Sequence, residues 1–142
     1  MSGDDQRPAL QVVTEGFETF GAGGPPAAAA IAHPEIEVFV PDSLPNHGSF
    51  QGREAYIGWM ETWLEAWDEF EIEILDHEAL GEAHVVTRTF QRGIGRGSGA
   101  EVEMESFWMT EVRDGRFAVV HLYPTLEEAR AAAREREAQR SE

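Results

Sequence analysis

The fold is decided by residues 90–105, FQRGIGRGSGAEVEME, in which four glycines separate two polar segments. Within this stretch, G-R-G-S-G-A fits the G-x-G-x-x-G/A pattern of a dinucleotide-binding loop. Such a loop binds pyrophosphate only when a helix follows it, because the phosphates lie on the helix N-terminus. After Ala100 the chain instead alternates as E-V-E-M-E before an aromatic run, which is the period of a β-strand. The stretch therefore favours a long β-hairpin with a glycine-rich tip over a nucleotide site.

The chain before this hairpin predicts helices around one short strand. Leu10, Val13 and Phe17 recur at steps of three and four, which predicts an amphipathic helix over residues 8–20. The glycine-rich segment 21–24 ends that helix, and two prolines open a short alanine-rich helix. The elements predicted next are a strand at 35–40, a loop at 41–52 and an aromatic-rich helix at 53–67.

The second half of the chain predicts strands and a final helix. The strands are expected at 69–76, 84–92, 101–112 and 116–123, with Asp114-Gly115 as the last hairpin turn. Helices followed by a run of strands indicate an α+β domain, with a strongly curved antiparallel sheet wrapped around helices that cover one face. The expected organisation is a disordered N-terminus at 1–7, a single domain at 8–125 and a C-terminal helix or tail at 126–142.

Composition argues against several classes of function. Cysteine is absent and all eleven basic side chains are Arg, which removes thiolate chemistry and lysine Schiff bases. The net charge is −16, and residues 35–82 alone carry −12, so we expect no nucleic acid partner. The histidines show no metal-ligand spacing, so no metal site is expected, and since the glycine-rich stretch is interpreted as a hairpin, no cofactor is expected either. Without an apolar signal core or a membrane-spanning run, the chain is expected to be cytoplasmic and to make no membrane contact.

Several passages resemble one known group of proteins. They are LPNHGSFQGREAYIGWM at 44–60, RTFQRGIGRGSGAEVEMESFWM at 88–109, RDGRF at 113–117 and HLYPTLEEARAA at 121–132. Together they resemble the SnoaL-like group of the nuclear transport factor 2-like superfamily. The resemblance implies a cone in which sheet and helices enclose an apolar cavity, commonly in a homodimer formed through the outer face of the sheet. The superfamily includes ketosteroid isomerases, polyketide cyclases, epoxide hydrolases and dehydratases beside non-catalytic members, so the fold does not choose among them.

The catalytic positions that this resemblance implies carry mostly apolar side chains. The general base of ketosteroid isomerases corresponds to Val40, and their two carbonyl-polarising groups correspond to Phe17 and Phe107. The Arg, Asp and Asp of epoxide hydrolases correspond to Arg88, Phe90 and Leu122. Only the Arg remains. These replacements favour a binding cavity, or a chemistry outside those patterns.

We therefore expect the cavity to bind a small apolar molecule, with ring-containing molecules among the candidates. The residues predicted to bind it are Phe17, Val40, Trp59, Trp63, Phe90, Phe107, Met109, Val120 and Leu122. A second hypothesis is an isomerase, cyclase or dehydratase that uses Arg88 and Glu105, and a third is a structural dimer module without a ligand. An apolar pocket with a few polar groups would favour the first two hypotheses, and a filled core the third.

The enzyme hypothesis depends on where Arg88 and Glu105 point. A turn near residues 96–98 brings them within reach of a diagonal cross-strand ion pair, and the resemblance places that pair inside the cone. The resemblance also implies a set of homodimer contacts on the outer face of the sheet. These are Met104, Ser106, Trp108, Val119 and His121.

Overall fold

The computed structural model describes residues 8–43 and 47–140. Within these ranges, the helices are α1 (Ala9–Ile31), α2 (Arg53–Glu65) and α3 (Leu126–Arg140). The strands are β1 (Glu37–Val40), β2 (Gly48–Gln51), β3 (Trp67–Ala79), β4 (His84–Gly95), β5 (Glu101–Arg113) and β6 (Arg116–Tyr123). Three parts of the predictions lie outside the described residues: the disordered segment 1–7, the middle of the predicted loop at 44–46, and the end of the tail at 141–142.

Strand β2 was not predicted, because its four residues were interpreted as part of a loop. It pairs antiparallel with β1, with Val38 opposite Phe50. The ring of Phe50 lies 6.2 Å from that of Trp59 on α2. A strand this short carries too little alternation to be recognised, and its pairing and packing, rather than its own sequence, hold it in place.

Helix α1 contains the predicted break, but the break comes later than expected. The first segment continues past Phe20, and Gly24 then takes φ 74° and ψ −167°, which only glycine adopts easily. Pro25 and Pro26 follow inside the helix, where the start of a new helical segment tolerates them. None of the helices in the described ranges is long and apolar enough to cross a membrane.

The six strands form one open, mixed sheet in the order β2-β1-β6-β5-β4-β3. Strands β1 and β6 run parallel, with Val38 beside Val120, and the other neighbours are antiparallel. The sheet is therefore not wholly antiparallel as predicted, because the long connection through α2 and the meander brings β6 back beside β1 in the same direction. The α+β class itself is confirmed.

The long glycine-tipped hairpin is confirmed. Strands β4 and β5 pair without interruption from His84 opposite Glu111 to Ile94 opposite Glu101. Strand β5 starts directly after the glycines, so no helix N-terminus is present to bind a pyrophosphate. At the next turn, Asp114 and Gly115 both have positive φ, 55° and 73°, as a two-residue type I′ hairpin requires.

The two faces of the sheet carry different helices. The inner face packs against α1 and α2, where Val38 and Val120 share a buried cluster with Trp59. The outer face packs against α3, where Ala129 and Ala133 are fully buried against strands β4 and β5. The expectation that helices cover one face is therefore wrong for α3, whose small alanines allow the helix to lie close to the sheet.

Candidate functional site

A cavity of about 100 Å³ lies between α1, α2 and the inner face of the sheet. Its wall is mostly apolar and aromatic, with a few uncharged polar groups. The helices contribute Phe17, Phe20, Tyr56, Trp59, Met60 and Trp63, and the strands contribute Phe70, Ile72, Gln91, Met104, Ser106, Trp108, Thr110, Val120 and Leu122. Among the described residues, no charged side chain lines this cavity. Such a wall is typical of small-molecule binding sites.

The aromatic part of the wall is held by edge-to-face contacts. The ring of Trp108 lies 5.4 Å from that of Phe17 on α1 and 5.9 Å from that of Trp59 on α2, both in T-shaped geometry. The helical spacing of Tyr56, Trp59 and Trp63 places these side chains on the same face of α2. Aromatic pairs in this geometry add stability beyond the area that they bury, so the wall presents fixed ring surfaces to the cavity.

Four side chains on the inner face form a hydrogen-bonded group, the Ser106 cluster: Thr89, Gln91, Ser106 and Trp108. The Ser106 Oγ accepts from Nε2 of Gln91 at 2.6 Å and from Nε1 of Trp108 at 3.0 Å. Because both Oγ lone pairs are then used, the Ser106 hydroxyl donates to Oγ1 of Thr89 at 2.6 Å. The Thr89 hydroxyl in turn donates to the carbonyl oxygen of Ser106 at 3.2 Å. With the Gln91 amide in this orientation, each group of the cluster has a donor or acceptor role that the others satisfy.

One acceptor of the Ser106 cluster is left over. Gln91 is only 5% exposed, and its Oε1 has no hydrogen-bond partner within the described part of the chain. The great majority of buried polar atoms in proteins have a partner, and an unsatisfied one costs about 1–3 kcal/mol. The amide orientation that supplies Ser106 with a donor is the one that leaves this oxygen unpaired.

Titratable groups approach the inner face at two places. Burial raises the pKa of Tyr56, which keeps its phenol protonated at neutral pH. Burial also lowers the pKa of His77, partly opposed by Asp76, and the His77 Nδ1 lies 2.9 Å from Oγ1 of Thr87. His77 contacts Phe17 with its ring, 5.5 Å between centroids, but is not part of the wall.

Among the described residues, Tyr56 is the only titratable side chain in the cavity wall. General acid–base catalysis needs a titrating group within hydrogen-bond reach of the substrate. In the described ranges, the wall holds no carboxylate, imidazole or guanidinium. Those ranges also contain no group of three or more His, Asp or Glu side chains placed to hold a metal ion.

Arg88 and Glu105 form the predicted diagonal pair, but on the other side of the sheet. Their Nη2 and Oε1 atoms are 3.9 Å apart, and Arg88 stands opposite Phe107 in the register. Gln91 and Ser106 line the cavity, so residues of the opposite alternation, including this pair, point outward. The side chains are 39% and 49% exposed. Their predicted position inside the cone is wrong, because charged side chains keep to the solvated face of a strand.

The residues predicted to bind the ligand divide between the two faces. Those that line the cavity are Phe17, Trp59, Trp63, Val120 and Leu122. Phe90, Phe107 and Met109 share the outward alternation of Arg88 and Glu105, and the last two pack beneath α3. Val40 is buried in the core against the helices but is not part of the cavity wall.

The polar residues of the cavity were missed, although the sequence contains a signal for them. Met104, Ser106 and Trp108 were placed on the outer face from the resemblance, and the structure places all three on the cavity wall. Glu101, Glu103 and Glu105 alternate with them. Because three carboxylates belong on the solvated face, the residues between them belong inside. His121, by contrast, does lie on the outer face, opposite Met109 and 5.4 Å from the ring of Phe39.

The sequence profile of the SnoaL-like domain matches residues 13–120. The chain belongs to the SnoaL-like domain family. The matched region of this SnoaL-like chain contains most of α1, all of α2 and β1 to β5, and the first part of β6, which together form most of the cavity wall. No curated protein sequence matches the chain significantly.

Solved structures share the fold of this SnoaL-like protein at low sequence identity. An NTF2-like protein from Burkholderia thailandensis E264 superposes with a TM-score of 0.76 and 19% identity, covering 89% of this chain and 97% of that one. TerC co-crystallised with polyporic acid superposes with a TM-score of 0.71 and 13% identity, covering 91% of this chain and 99% of that one. A protein with a ketosteroid isomerase-like fold from Catenulispora acidiphila, in complex with trimethylamine, superposes with a TM-score of 0.66 and 15% identity. The superposition covers 84% of this chain and 92% of that one.

Proposed function

We propose that this SnoaL-like protein binds a small apolar molecule in the cavity between α1, α2 and the inner face of the sheet, and that ring-containing molecules suit it best. The observation that carries the proposal is the cavity wall. It presents the rings of Phe17, Trp59 and Trp108 in fixed edge-to-face contact, with uncharged polar groups beside them. Aromatic and aliphatic walls favour apolar ligands, since these leave water without losing hydrogen bonds.

The size of the cavity supports a small ligand rather than a filled core. At about 100 Å³ it is somewhat smaller than the engineered apolar cavity of about 150 Å³ that is known to bind benzene. A single ring therefore requires only modest movement of the lining side chains. A purely structural module would gain stability by filling such a space, because voids remove packing contacts.

The fold neighbours support small-molecule binding in a general way. Two of them were crystallised with small molecules, polyporic acid in one and trimethylamine in the other. Their identities to this chain are 13% and 15%, so the likeness concerns the fold and does not carry over a ligand. The isomerase, cyclase or dehydratase hypothesis gains no support from Arg88 and Glu105, which lie across the sheet from the cavity.

Homodimer formation through the outer face of the sheet remains part of the proposal. Helix α3 covers part of this face, and beyond it lies an aromatic group made of Phe39, His121 and Tyr123. The test is sedimentation of the wild type and of Phe39→Glu. We expect a dimer for the wild type and a monomer for the variant. A wild type that is monomeric at high micromolar concentration would contradict it.

Toluene tests the binding proposal directly, because it is a single apolar ring. We expect calorimetry to show binding, and toluene to raise the melting temperature of the wild type, since a ligand that binds only the folded state stabilises it. Met104→Trp places a larger side chain in the cavity wall and should abolish both effects. Phe90→Trp, a matched enlargement on the outer face of the neighbouring strand, should leave both unchanged. Failure of toluene to bind, or equal binding to both variants, would refute the proposal.

A further inference from the structure

The cavity wall includes a buried amide oxygen that lacks a hydrogen-bond partner among the described residues. The wall contains Gln91, and the Oε1 of this side chain has no hydrogen-bond partner among the described residues. In this orientation the Nε2 of the amide donates one of the two hydrogen bonds that Ser106 Oγ accepts, so the oxygen is the atom that stays unpaired. The Ser106 cluster thus holds an acceptor in place and leaves it open.

The chemistry of the Gln91 Oε1 determines which kind of group can form a hydrogen bond with it. An amide oxygen accepts hydrogen bonds and donates none, so its missing partner is an O–H or N–H group. The Oε1 is buried in this structure, so a donor in the cavity reaches it only when a neighbouring side chain moves. Met104 stands opposite Gln91 in the register and also lines the cavity, and its flexible side chain is the neighbour best able to give way.

The charges of the protein also argue against an anionic ligand and favour a neutral one. In the described ranges, no cationic side chain lines the wall that could pair with an anionic group, and the chain as a whole carries a net charge of −16. An anion buried in this wall would lose its hydration without compensation, and the field of the protein would repel it before it entered. A neutral group carries neither penalty.

We infer that the ligand is a neutral ring compound that carries one hydrogen-bond donor, a hydroxyl or an N–H, and that this donor binds the Oε1 of Gln91. This inference rests on the proposed function, since it requires that the cavity be occupied. It makes Gln91 a specificity-determining residue. The aromatic wall binds the ring, and Gln91 distinguishes ligands with a donor from those without one.

Three single-ring compounds separate these contributions. Phenol carries a donor, anisole carries an oxygen that only accepts, and toluene carries neither. Their affinities would be measured by calorimetry for the wild type, for Gln91→Met, which keeps the length of the side chain but removes the amide, and for Arg88→Met, a control on the opposite face of the same strand. Benzoate serves as the anionic counterpart.

The expected result is a change in the ratio of phenol affinity to toluene affinity. A neutral hydrogen bond corresponds to about a three- to tenfold effect, so the ratio should fall by that factor in Gln91→Met and stay unchanged in Arg88→Met. Anisole should follow toluene, and benzoate should not bind. An unchanged ratio in Gln91→Met, an anisole affinity equal to that of phenol, or binding of benzoate would overturn the inference. If none of the rings binds, the proposed function itself fails.

A second readout needs no variant. In the wild type labelled with ¹⁵N, phenol should shift the side-chain amide resonances of Gln91 more than toluene or anisole does, because only phenol bonds to the same amide group. Equal shifts from phenol and toluene would overturn the inference even if Gln91→Met did not fold. Shifts of the Gln91 amide resonances with toluene but not with phenol would also overturn the inference.

Discussion

The two faces of the sheet bury polar groups in opposite ways. On the outer face, beneath α3, His84 is fully buried, and its Nδ1 and Nε2 lie 2.5 Å and 3.0 Å from oxygens of Glu137 and Glu111. On the inner face the buried polar groups of the Ser106 cluster are uncharged, and the Oε1 of Gln91 lacks a partner within the described residues. We expect the ionisable group around His84 on the outer face to stabilise the fold. On the inner face, we expect a ligand to bind at the unpaired Oε1 of Gln91.

The charged group on the outer face can be called the His84 clasp, and it consists of His84, Glu111, Arg136 and Glu137. Both ring nitrogens of His84 face carboxylate oxygens, which accept hydrogen bonds only. Arg136 Nη1 lies 3.2 Å from Glu111 Oε1, and the amide of Ala83 donates to Glu137 Oε2 at 2.8 Å. The clasp thereby ties the C-terminal part of α3 to strands β4 and β5.

Removing the centre of the clasp should have the largest effect. His84→Leu would leave the carboxylates of Glu111 and Glu137 near each other without the hydrogen-bonding ring between them, and breaking a buried pair costs about 3–5 kcal/mol of unfolding free energy. Urea denaturation measures this loss. His47→Leu, a change at an exposed loop histidine, is the control and should have no effect. A loss below about 1 kcal/mol would break the contrast, because the clasp would then not stabilise the fold.

Acid should weaken the same clasp. The hydrogen bond from His84, against the effect of burial and with help from Arg113, lowers the pKa of Glu111 from 4.5 to about 2. A carboxyl whose pKa is lowered by folding stabilises the protein fully above its unfolded value, and that contribution is lost as pH falls through the folded value. We expect roughly 2–3 kcal/mol of stability to disappear between about pH 5 and pH 2 from this group. Glu111→Gln should lack this component, and an identical pH profile in the variant would contradict the assignment.

Gln91→Met should change ligand preference with little change in stability. The variant loses one hydrogen bond to Ser106, worth about 1 kcal/mol, and removes an unsatisfied acceptor of similar cost. The two effects oppose each other, so urea denaturation should show a net change within about 1 kcal/mol. A much larger loss would mean that Gln91 is a structural residue like His84, and the contrast between the two faces would disappear.

The smallest effects are expected for the exposed ion pair. Glu105→Gln and Arg88→Met should each change the unfolding free energy by no more than about 0.5 kcal/mol, because solvent screens a pair this exposed. Toluene affinity in calorimetry should also remain at the wild-type value. If either variant lost both stability and toluene binding, this ion pair would have to be part of the binding site.

Much of the fold could be predicted from the sequence because its signals are local. The alternation on both sides of the glycines defines the β4–β5 hairpin, and its register opposes Arg88 to Phe107, which makes Glu105 the diagonal neighbour of Arg88 as predicted. The features of the fold that were not predicted depend on contacts between distant parts of the chain. Strand β2 forms by pairing with β1, and α3 reaches the outer face through the His84 clasp and two buried alanines. Such pairings leave no periodic pattern in their own segments.

The candidate site was predicted only in part, and the reason is the assignment of faces. Side chains from helices, such as Phe17 and Trp59, were placed correctly on the cavity wall because an amphipathic helix has one apolar face. On β5 the resemblance was followed instead of the charge pattern, and a one-residue error in alternation moves every side chain to the other face. The Ser106 cluster could not be foreseen, since its bonds join residues on two strands.

The most direct test of the central claim is to map where toluene perturbs the ¹H–¹⁵N spectrum of the labelled protein, including the indole and side-chain amide groups. We predict that the largest shifts occur at the indole N–H groups of Trp59 and Trp108 and at the side-chain amide of Gln91, which line the cavity. Backbone amides around the His84 clasp and the side chain of Arg88 should stay within error of their free positions. Largest shifts on the outer face, or no shifts at saturating toluene, would contradict the account.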